Sequence, residues 1–150
     1  AHFRREHIAF VGQDPGAELP PLMSVARMLR ELAPAADVAA LLQRVDLPAS
    51  IASRRIHQLS GGQQQRVAIA RSLYVNPEVL LADEPTGNLD SENSDRVLEL
   101  LRLAVDEFGQ TVVMVTHDEQ ATDRGDFVLR MSDGLIRSVA TTSTFTSVQG

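Results

Sequence analysis

A serine and two glycines open a segment whose residue types suit the binding of an anion. Ser60 precedes Gly61 and Gly62, and Gln63 follows the serine by three residues. Serine is a preferred N-cap and this spacing is that of a capping box, so a helix is predicted to begin here. Two glycines leave the first-turn N–H groups, at the positive end of the helix dipole, open to a phosphate. An ordinary capped helix after a glycine loop is the alternative.

Two adjacent carboxylates follow a short apolar segment. Residues 79–82 are predicted to form a buried strand, with Asp83 and Glu84 at its carboxyl end. Ligands of open α/β sheets bind beyond the carboxyl ends of strands. Asp83 is a candidate Mg²⁺ ligand because hard cations prefer oxygen donors, and Glu84 is a candidate general base. A simple acidic turn after the strand is the alternative.

Two more polar residues stand in comparable positions. Gln13 follows the apolar residues 8–11, and His117 follows the apolar residues 111–115, and both apolar segments are predicted to be buried strands. A histidine after a strand can donate a hydrogen bond to a phosphate oxygen. A polar turn residue and a structural histidine are the alternatives for Gln13 and His117.

The remaining periodic segments must position these residues. Helical spacing of apolar residues is found in residues 22–32, 37–45 and 94–108, and residues 119–124 are predicted to form a short helix. Asp133-Gly134 between two apolar runs predicts a hairpin. The Ser/Thr-rich residues 141–150 have little to bury and are predicted to be disordered. Strands alternating with helices predict an α/β fold with a mainly parallel sheet and an inserted helical subdomain.

The composition limits the classes of function. The chain has 150 residues, 43% of them hydrophobic, a net charge of −6 and no cysteine. The acidic balance argues against a nucleic-acid partner, and the lack of cysteine excludes disulfides and thiolate metal sites. No apolar run has the length of a membrane-spanning helix, and no signal peptide is predicted. Any membrane association is therefore expected to go through a partner.

All 14 basic residues are arginines, so the sequence contains no lysine. A phosphate-binding P-loop needs a lysine after its glycine-rich turn. The chain also opens in mid-element at Ala1, without methionine. Both observations predict a fragment whose N-terminal part is absent, although arginine usage could also reflect a lysine-poor source proteome.

The octapeptide of residues 59–66, Leu-Ser-Gly-Gly-Gln-Gln-Gln-Arg, is similar to the signature sequence of the ATP-binding cassette (ABC) ATPases. The resemblance extends from about Arg4 to Val139, and the other motifs arrive in that family's order. Asp83-Glu84 resembles a Walker B motif, and His117 resembles the switch histidine. The form of residues 86–91 looks most like ATPases of the lipoprotein-releasing and macrolide-export kind and their cell-division relatives.

The resemblance implies ATP and Mg²⁺ as cofactors and assigns catalytic roles. Glu84 would act as general base or orient the attacking water, and His117 would contact the γ-phosphate. Gln13 would begin the Q-loop, contact the water and Mg²⁺, and carry motion to a membrane partner. Asp83 would hold Mg²⁺ together with Gln13.

The resemblance also implies an assembly. Two ATPase subunits would face each other head to tail, with residues 60–63 of one subunit on the ATP held by the other. Asp90, in the D-loop of residues 88–90, would cross that interface. Alternatively, or in addition, Asp90 or Ser91 would cap the next helix. The homodimer would drive a transmembrane permease from the cytoplasmic face of the cell membrane, touching the membrane only through it. Residues 19–25 are a candidate permease contact, or alternatively a hairpin on their own helices.

The implied domain is a partial ABC ATPase. Residues 1–13 and 77–140 would form the core sheet and its helices, and residues 14–76 the helical subdomain with the signature helix. The strand and lysine of the P-loop would be missing, so the chain alone is expected to fold poorly, to bind ATP weakly and not to hydrolyse it. A gap is expected beside residues 111–115.

Two other functions stay open at this point. One is an ATPase of a cell-division or regulatory membrane complex that does not transport. The other is a non-catalytic interaction module, against which the retained Gln13, Asp83, Glu84 and His117 argue. A glycine-rich loop ending in Gly-Lys-Ser or Gly-Lys-Thr upstream would favour an active enzyme.

Overall fold

The computed structural model describes residues 7–32 and 34–142. The chain divides into two compact units, Ala1–Val115 and Thr116–Gly150. The division into residues 1–13, 14–76 and 77–140 stays a prediction.

The first unit is organised on a parallel sheet. Its strands are β1 (Ile8–Val11), β2 (Val79–Asp83) and β3 (Thr111–Val115), in the order β1-β2-β3. Both neighbouring pairs are parallel, which requires long crossover connections rather than tight turns. The predicted α/β class with a parallel sheet is confirmed.

Five α-helices are found in the described residues of this unit. They are α1 (Pro15–Glu18), α2 (Val25–Leu32), α3 (Val38–Arg44), α4 (Gly61–Tyr74) and α5 (Ser91–Asp106), with two 3₁₀ turns at Ala49–Ser53 and Ile56–Gln58. The prediction for α5 began three residues too late, because the Asp90 side chain caps the helix by accepting the Asn93 N–H. Each of the other predicted helices in this unit is found, within three residues of its predicted ends.

One face of the sheet is covered. Val11, Leu80 and Ala82 are at most 2% exposed and belong to a core that includes Val67 and Val97 from α4 and α5. Burying a side chain such as Leu80 stabilises the fold by about 1.5–3 kcal/mol. The covered face therefore fixes both helices relative to the ends of the strands.

The other face of the sheet is apolar and exposed. Phe10, Leu81 and Val113 lie in register across the three strands and are 50%, 36% and 48% exposed. Ile8 and Val115 extend the same face, at 39% and 60%. The prediction of fully buried strands is wrong here, because no apolar layer shields this face in the part of the chain that the structure describes.

The second unit is small. It contains α6 (Glu119–Thr122) and an antiparallel hairpin of β4 (Phe127–Ser132) and β5 (Leu135–Thr141). Asp133 and Gly134 form its turn with φ of 53° and 73°, the left-handed conformation that an Asp-Gly turn favours. The predicted hairpin is confirmed. The strand β5 reaches one residue into the segment predicted to be disordered, and residues 143–150 lie outside the described part.

Across residues 7–32 and 34–142, none of the helices has the length and apolar character needed to cross a membrane.

Candidate functional site

The start of α4 is a capping box, as predicted. Ser60 Oγ accepts the Gln63 N–H at 3.3 Å, and Gln63 Oε1 accepts the Ser60 N–H at 3.1 Å. Both side chains thus satisfy groups at the helix end, where backbone donors otherwise lack partners. We call residues 60–63 the signature turn.

The two glycines of the signature turn have different surroundings. A Cβ atom added at Gly61 would have one neighbour, Leu89 Cδ2, at 3.8 Å, whereas one added at Gly62 would lie 2.4 Å from Asn93 Oδ1. Gly61 is exposed and Gly62 is buried. The expectation that both glycines leave the turn bare is therefore wrong for Gly62, whose missing side chain makes room for Asn93.

Two polar side chains later in α4 are buried and hold neighbouring loops. Gln65 is 1% exposed, and its Nε2 donates to Gly12 O at 3.0 Å. Arg66 is 5% exposed and donates from Nε to Gly62 O at 3.2 Å and from Nη1 to Asp46 O at 2.7 Å. Burial lowers the pKa of Arg66, and the Asp46 carboxylate partly offsets this. These contacts fix α4 to the residue that follows β1 and to Asp46, two residues after the end of α3.

The carboxylates at the end of β2 are held by the backbone. Asp83 is the last residue of the strand and is exposed, and Glu84 is half-buried. Glu84 has a φ of 47°, and its N–H donates to Val115 O at 2.8 Å. A non-glycine residue in this left-handed region costs on the order of 1–3 kcal/mol, and such residues cluster at functional sites.

Gln13 lies against the loop that follows Glu84. A Cβ atom added at Gly87 would be 2.8 Å from Gln13 Nε2 and 3.4 Å from Glu84 O. Asn88 Nδ2 also donates to Gln13 O at 3.4 Å. The structure thus brings Gln13 and the segment after Asp83 together at the carboxyl ends of β1 and β2.

Asp90 is the N-cap of α5. Its Oδ1 accepts the Asn93 N–H at 2.8 Å, and Asn93 Nδ2 donates to both carboxylate oxygens at 2.9 and 3.1 Å. The Asn93 backbone N–H, then its side-chain amide, lowers the pKa of Asp90. The carboxylate is exposed and held as an anion.

A family model described as ABC transporter matches residues 1–87. The chain belongs to the ABC transporter family. It is 39% identical to the ABC transporter ATP-binding protein YtrE of Bacillus subtilis (strain 168), over 91% of the chain and 62% of that relative. It is 46% identical to the lipoprotein-releasing system ATP-binding protein LolD of Shewanella frigidimarina (strain NCIMB 400), over 71% of the chain and 44% of that relative.

A solved structure agrees with this membership. A dimeric ATP-binding cassette, MJ0796, in a post-hydrolysis state bound to ADP and Pi, superposes with a TM-score of 0.80. The two sequences are 34% identical, over 95% of this chain and 66% of that one. The chain thus spans somewhat under two thirds of the length of YtrE and of this cassette. The predicted family and its fold are confirmed.

The catalytic and binding roles that the family resemblance implies for the site residues stay predictions. His117 is exposed and lies in the second compact unit, where Thr116 Oγ1 accepts the Asp118 N–H at 3.0 Å. In the described ranges, no three His, Asp or Glu side chains are grouped so that they could hold a metal ion by themselves.

The contacts by which three residues hold α4 or its signature turn in place were not predicted from the sequence. Gln65, Arg66 and Asn93 act through contacts to residues 53, 20 and 31 positions away. For Gln65 and Arg66, the one available signal was a polar residue at a position of α4 that helical periodicity places inside. Such a position indicates burial but does not identify the hydrogen-bond partner.

Proposed function

We propose that this chain is the larger part of an ATP-hydrolysing subunit that powers a membrane permease. The observation that carries the proposal is Glu84, held in a left-handed backbone at the carboxyl end of β2, with Gln13 beside its loop. Nucleotides bind at this edge of open α/β sheets. Family membership points to hydrolysis of the phosphoanhydride bond to the γ-phosphate of ATP, which such a carboxylate and amide could serve.

The proposed roles follow from side-chain chemistry. Glu84 accepts a proton from the attacking water or orients that water in line with the γ-phosphate. Gln13 orients the same water through its amide, and His117 donates a hydrogen bond to a γ-phosphate oxygen. In this scheme catalysis consists mainly of positioning and charge stabilisation.

The residues present fit a magnesium ion bound together with a nucleotide. Asp83 offers an exposed carboxylate and Gln13 an amide oxygen, and Mg²⁺ is commonly held by one or two carboxylates plus substrate phosphates. When bound, the ion neutralises charge on the phosphate oxygens. Asp83 is the proposed ligand, with Gln13 as a second oxygen donor.

The proposed assembly is a homodimer with a permease. The signature turn of one subunit contacts the ATP of the other, as its exposed Ser60 and Gly61 allow, and Asp90 reaches toward the same interface. The dimeric cassette with ADP and Pi supports this arrangement. Residues 19–25, in which Leu22 is 72% exposed and Leu19 is buried, are the proposed permease contact, on the cytoplasmic face of the membrane.

Hydrolysis of ATP by the purified full-length protein tests the proposal. We expect Mg²⁺-dependent release of phosphate, and a loss of about 10²–10⁴-fold in kcat for Glu84→Gln. Glu107→Gln, on an exposed residue at the end of α5, is the matched control and should leave kcat unchanged. Full activity of Glu84→Gln would refute the role of Glu84, and no hydrolysis by the wild type would refute the proposed function.

A further inference from the structure

The side chain of Asn93 lies directly on Gly62. A Cβ atom added at Gly62 would meet three atoms of Asn93: Oδ1 at 2.4 Å, Cγ at 2.5 Å and Cβ at 2.9 Å. Real Cβ atoms do not approach other heavy atoms this closely, so any side chain at position 62 would have to displace Asn93. The contact joins the first turn of α4 to the first turn of α5.

The amide of Asn93 is at the same time tied to Asp90. Its Nδ2 donates to both oxygens of the carboxylate, and its backbone N–H donates to one of them. The side chain therefore touches the glycine of the signature turn with its oxygen end and binds the D-loop aspartate with its nitrogen end. Neither contact can shift by itself without disturbing the other.

A second route runs one helical turn further along α5. The Nη1 groups of Arg96 and Arg66 both lie 3.5 Å from Asp46 Oδ2. Arg66 in turn donates to Gly62 O. Two sets of contacts thus link α5 to Gly62. Asn93 contacts the glycine on its Cα side, and Arg66, which is joined to Arg96 through Asp46, contacts it on its carbonyl side.

We propose that Asn93 is a positioning residue that joins the D-loop aspartate to the signature turn, so that the two segments of one subunit move as one body. The inference rests on the proposed function for its consequence, since both segments would face the same nucleotide. Asn93 itself touches neither the nucleotide nor the water. It sets where Asp90 and the N–H groups of the signature turn stand.

A double-mutant cycle on the full-length protein tests the contact without nucleotide. Gly62→Ala should lower Tm by roughly 4–10 °C because of overpacking. The same substitution in an Asn93→Gly background should lower Tm by no more than about 2 °C, since the clashing atoms are gone. Gly61→Ala, with its nearest neighbour at 3.8 Å, is the control and should behave alike in both backgrounds. Equal losses from Gly62→Ala in both backgrounds would overturn the inference.

A swap of the two side-chain groups tests the link to Asp90. Asn93→Asp keeps the shape over Gly62 but replaces the amide donor by a second carboxylate. We expect KM for ATP to rise about tenfold, with kcat changed less than about threefold, because binding to the signature turn is what is lost. The double variant Asp90→Asn with Asn93→Asp restores one donor and one acceptor, and KM should return to within about threefold of the wild type. A double variant as impaired as Asn93→Asp would overturn the link.

The two experiments separate the inference from the proposed function. A wild-type protein without ATP hydrolysis would refute the proposed function, and the Tm cycle would then decide by itself whether Asn93 couples the two segments. An active enzyme with additive effects at positions 62 and 93 would refute the inference alone.

Discussion

The signature turn and the loop after β2 are both candidate ligand sites, yet they are held in different ways. Side chains hold the signature turn: the Ser60 and Gln63 box, the amide of Asn93 and the guanidinium of Arg66. The loop of residues 83–88, here the strand-tip loop, is positioned at Glu84 by a backbone hydrogen bond to β3 and by a left-handed φ. One site is packed, and the other stores backbone strain.

This difference predicts opposite responses to substitution. Removing a side chain that supports a packed site costs stability, because its partners lose contacts and hydrogen bonds. Relieving a strained residue gains stability, although the geometry needed for chemistry is lost with it. Substitutions in the two segments should therefore move the free energy of unfolding in opposite directions.

The largest expected effect is on activity, at the strand-tip loop. Glu84→Asn should reduce kcat of the full-length protein by about 10²–10⁴-fold, because the proposed base is removed. Asparagine tolerates the left-handed region, so the free energy of unfolding should rise by about 0.5–1 kcal/mol. Steady-state hydrolysis and urea denaturation measure the two effects, with Glu107→Asn as control. A destabilised Glu84→Asn variant would break the comparison.

The next effect is on the packed side. Arg66→Met keeps most of the apolar stem but removes the donors to Gly62 O and Asp46 O. We expect a loss of about 2 kcal/mol in the free energy of unfolding, since the buried Gly62 carbonyl and the part-buried Asp46 carbonyl both lose a charged donor. Arg27→Met, whose side chain is 73% exposed, should change it by less than about 0.5 kcal/mol. Similar values for both variants in urea denaturation would contradict a supporting role for Arg66.

A smaller loss is expected from the cap of α4. Ser60→Ala removes the acceptor of the Gln63 N–H and should cost about 1 kcal/mol of stability. Ser91→Ala is the matched control, because Ser91 is exposed and follows a helix cap supplied by Asp90. Thermal unfolding of both variants would sharpen the comparison if only Ser60→Ala lowers Tm.

The smallest effect is a dependence on pH. The hydrogen bonds from Asn93 lower the pKa of Asp90, so the folded state favours the carboxylate. Its contribution to stability is therefore fully present above the ordinary pKa of an aspartate and is lost as pH falls through the lowered value. The difference in denaturation midpoint between the wild type and Asp90→Asn should be constant near neutral pH and change below roughly pH 4. A difference that is flat into strong acid would contradict the assigned shift.

Local signals carried most of what the sequence could predict. The spacing of Ser60 and Gln63 gave the cap of α4, and Asp133-Gly134 gave the hairpin, because each signal lies within a few residues of the structure that it specifies. The contacts of Gly62 and Arg66 could not be predicted, since their partners lie on other elements of the fold. The exposure of one face of the sheet could not be predicted either, because an apolar run does not indicate which face of a sheet other elements cover.

The exposed face of the parallel sheet affects the stability that is measured for this chain by itself. Parallel sheets ordinarily carry helices on both sides, and each Å² of apolar surface removed from water contributes about 25 cal/mol. The surface around Phe10, Val113 and Val115 is exposed to water, so its burial does not stabilise the fold. Thermal unfolding of this segment alone should therefore give a lower Tm than unfolding of the same segment with a neighbour that covers the surface. Hydrophobic dyes should bind first at this surface.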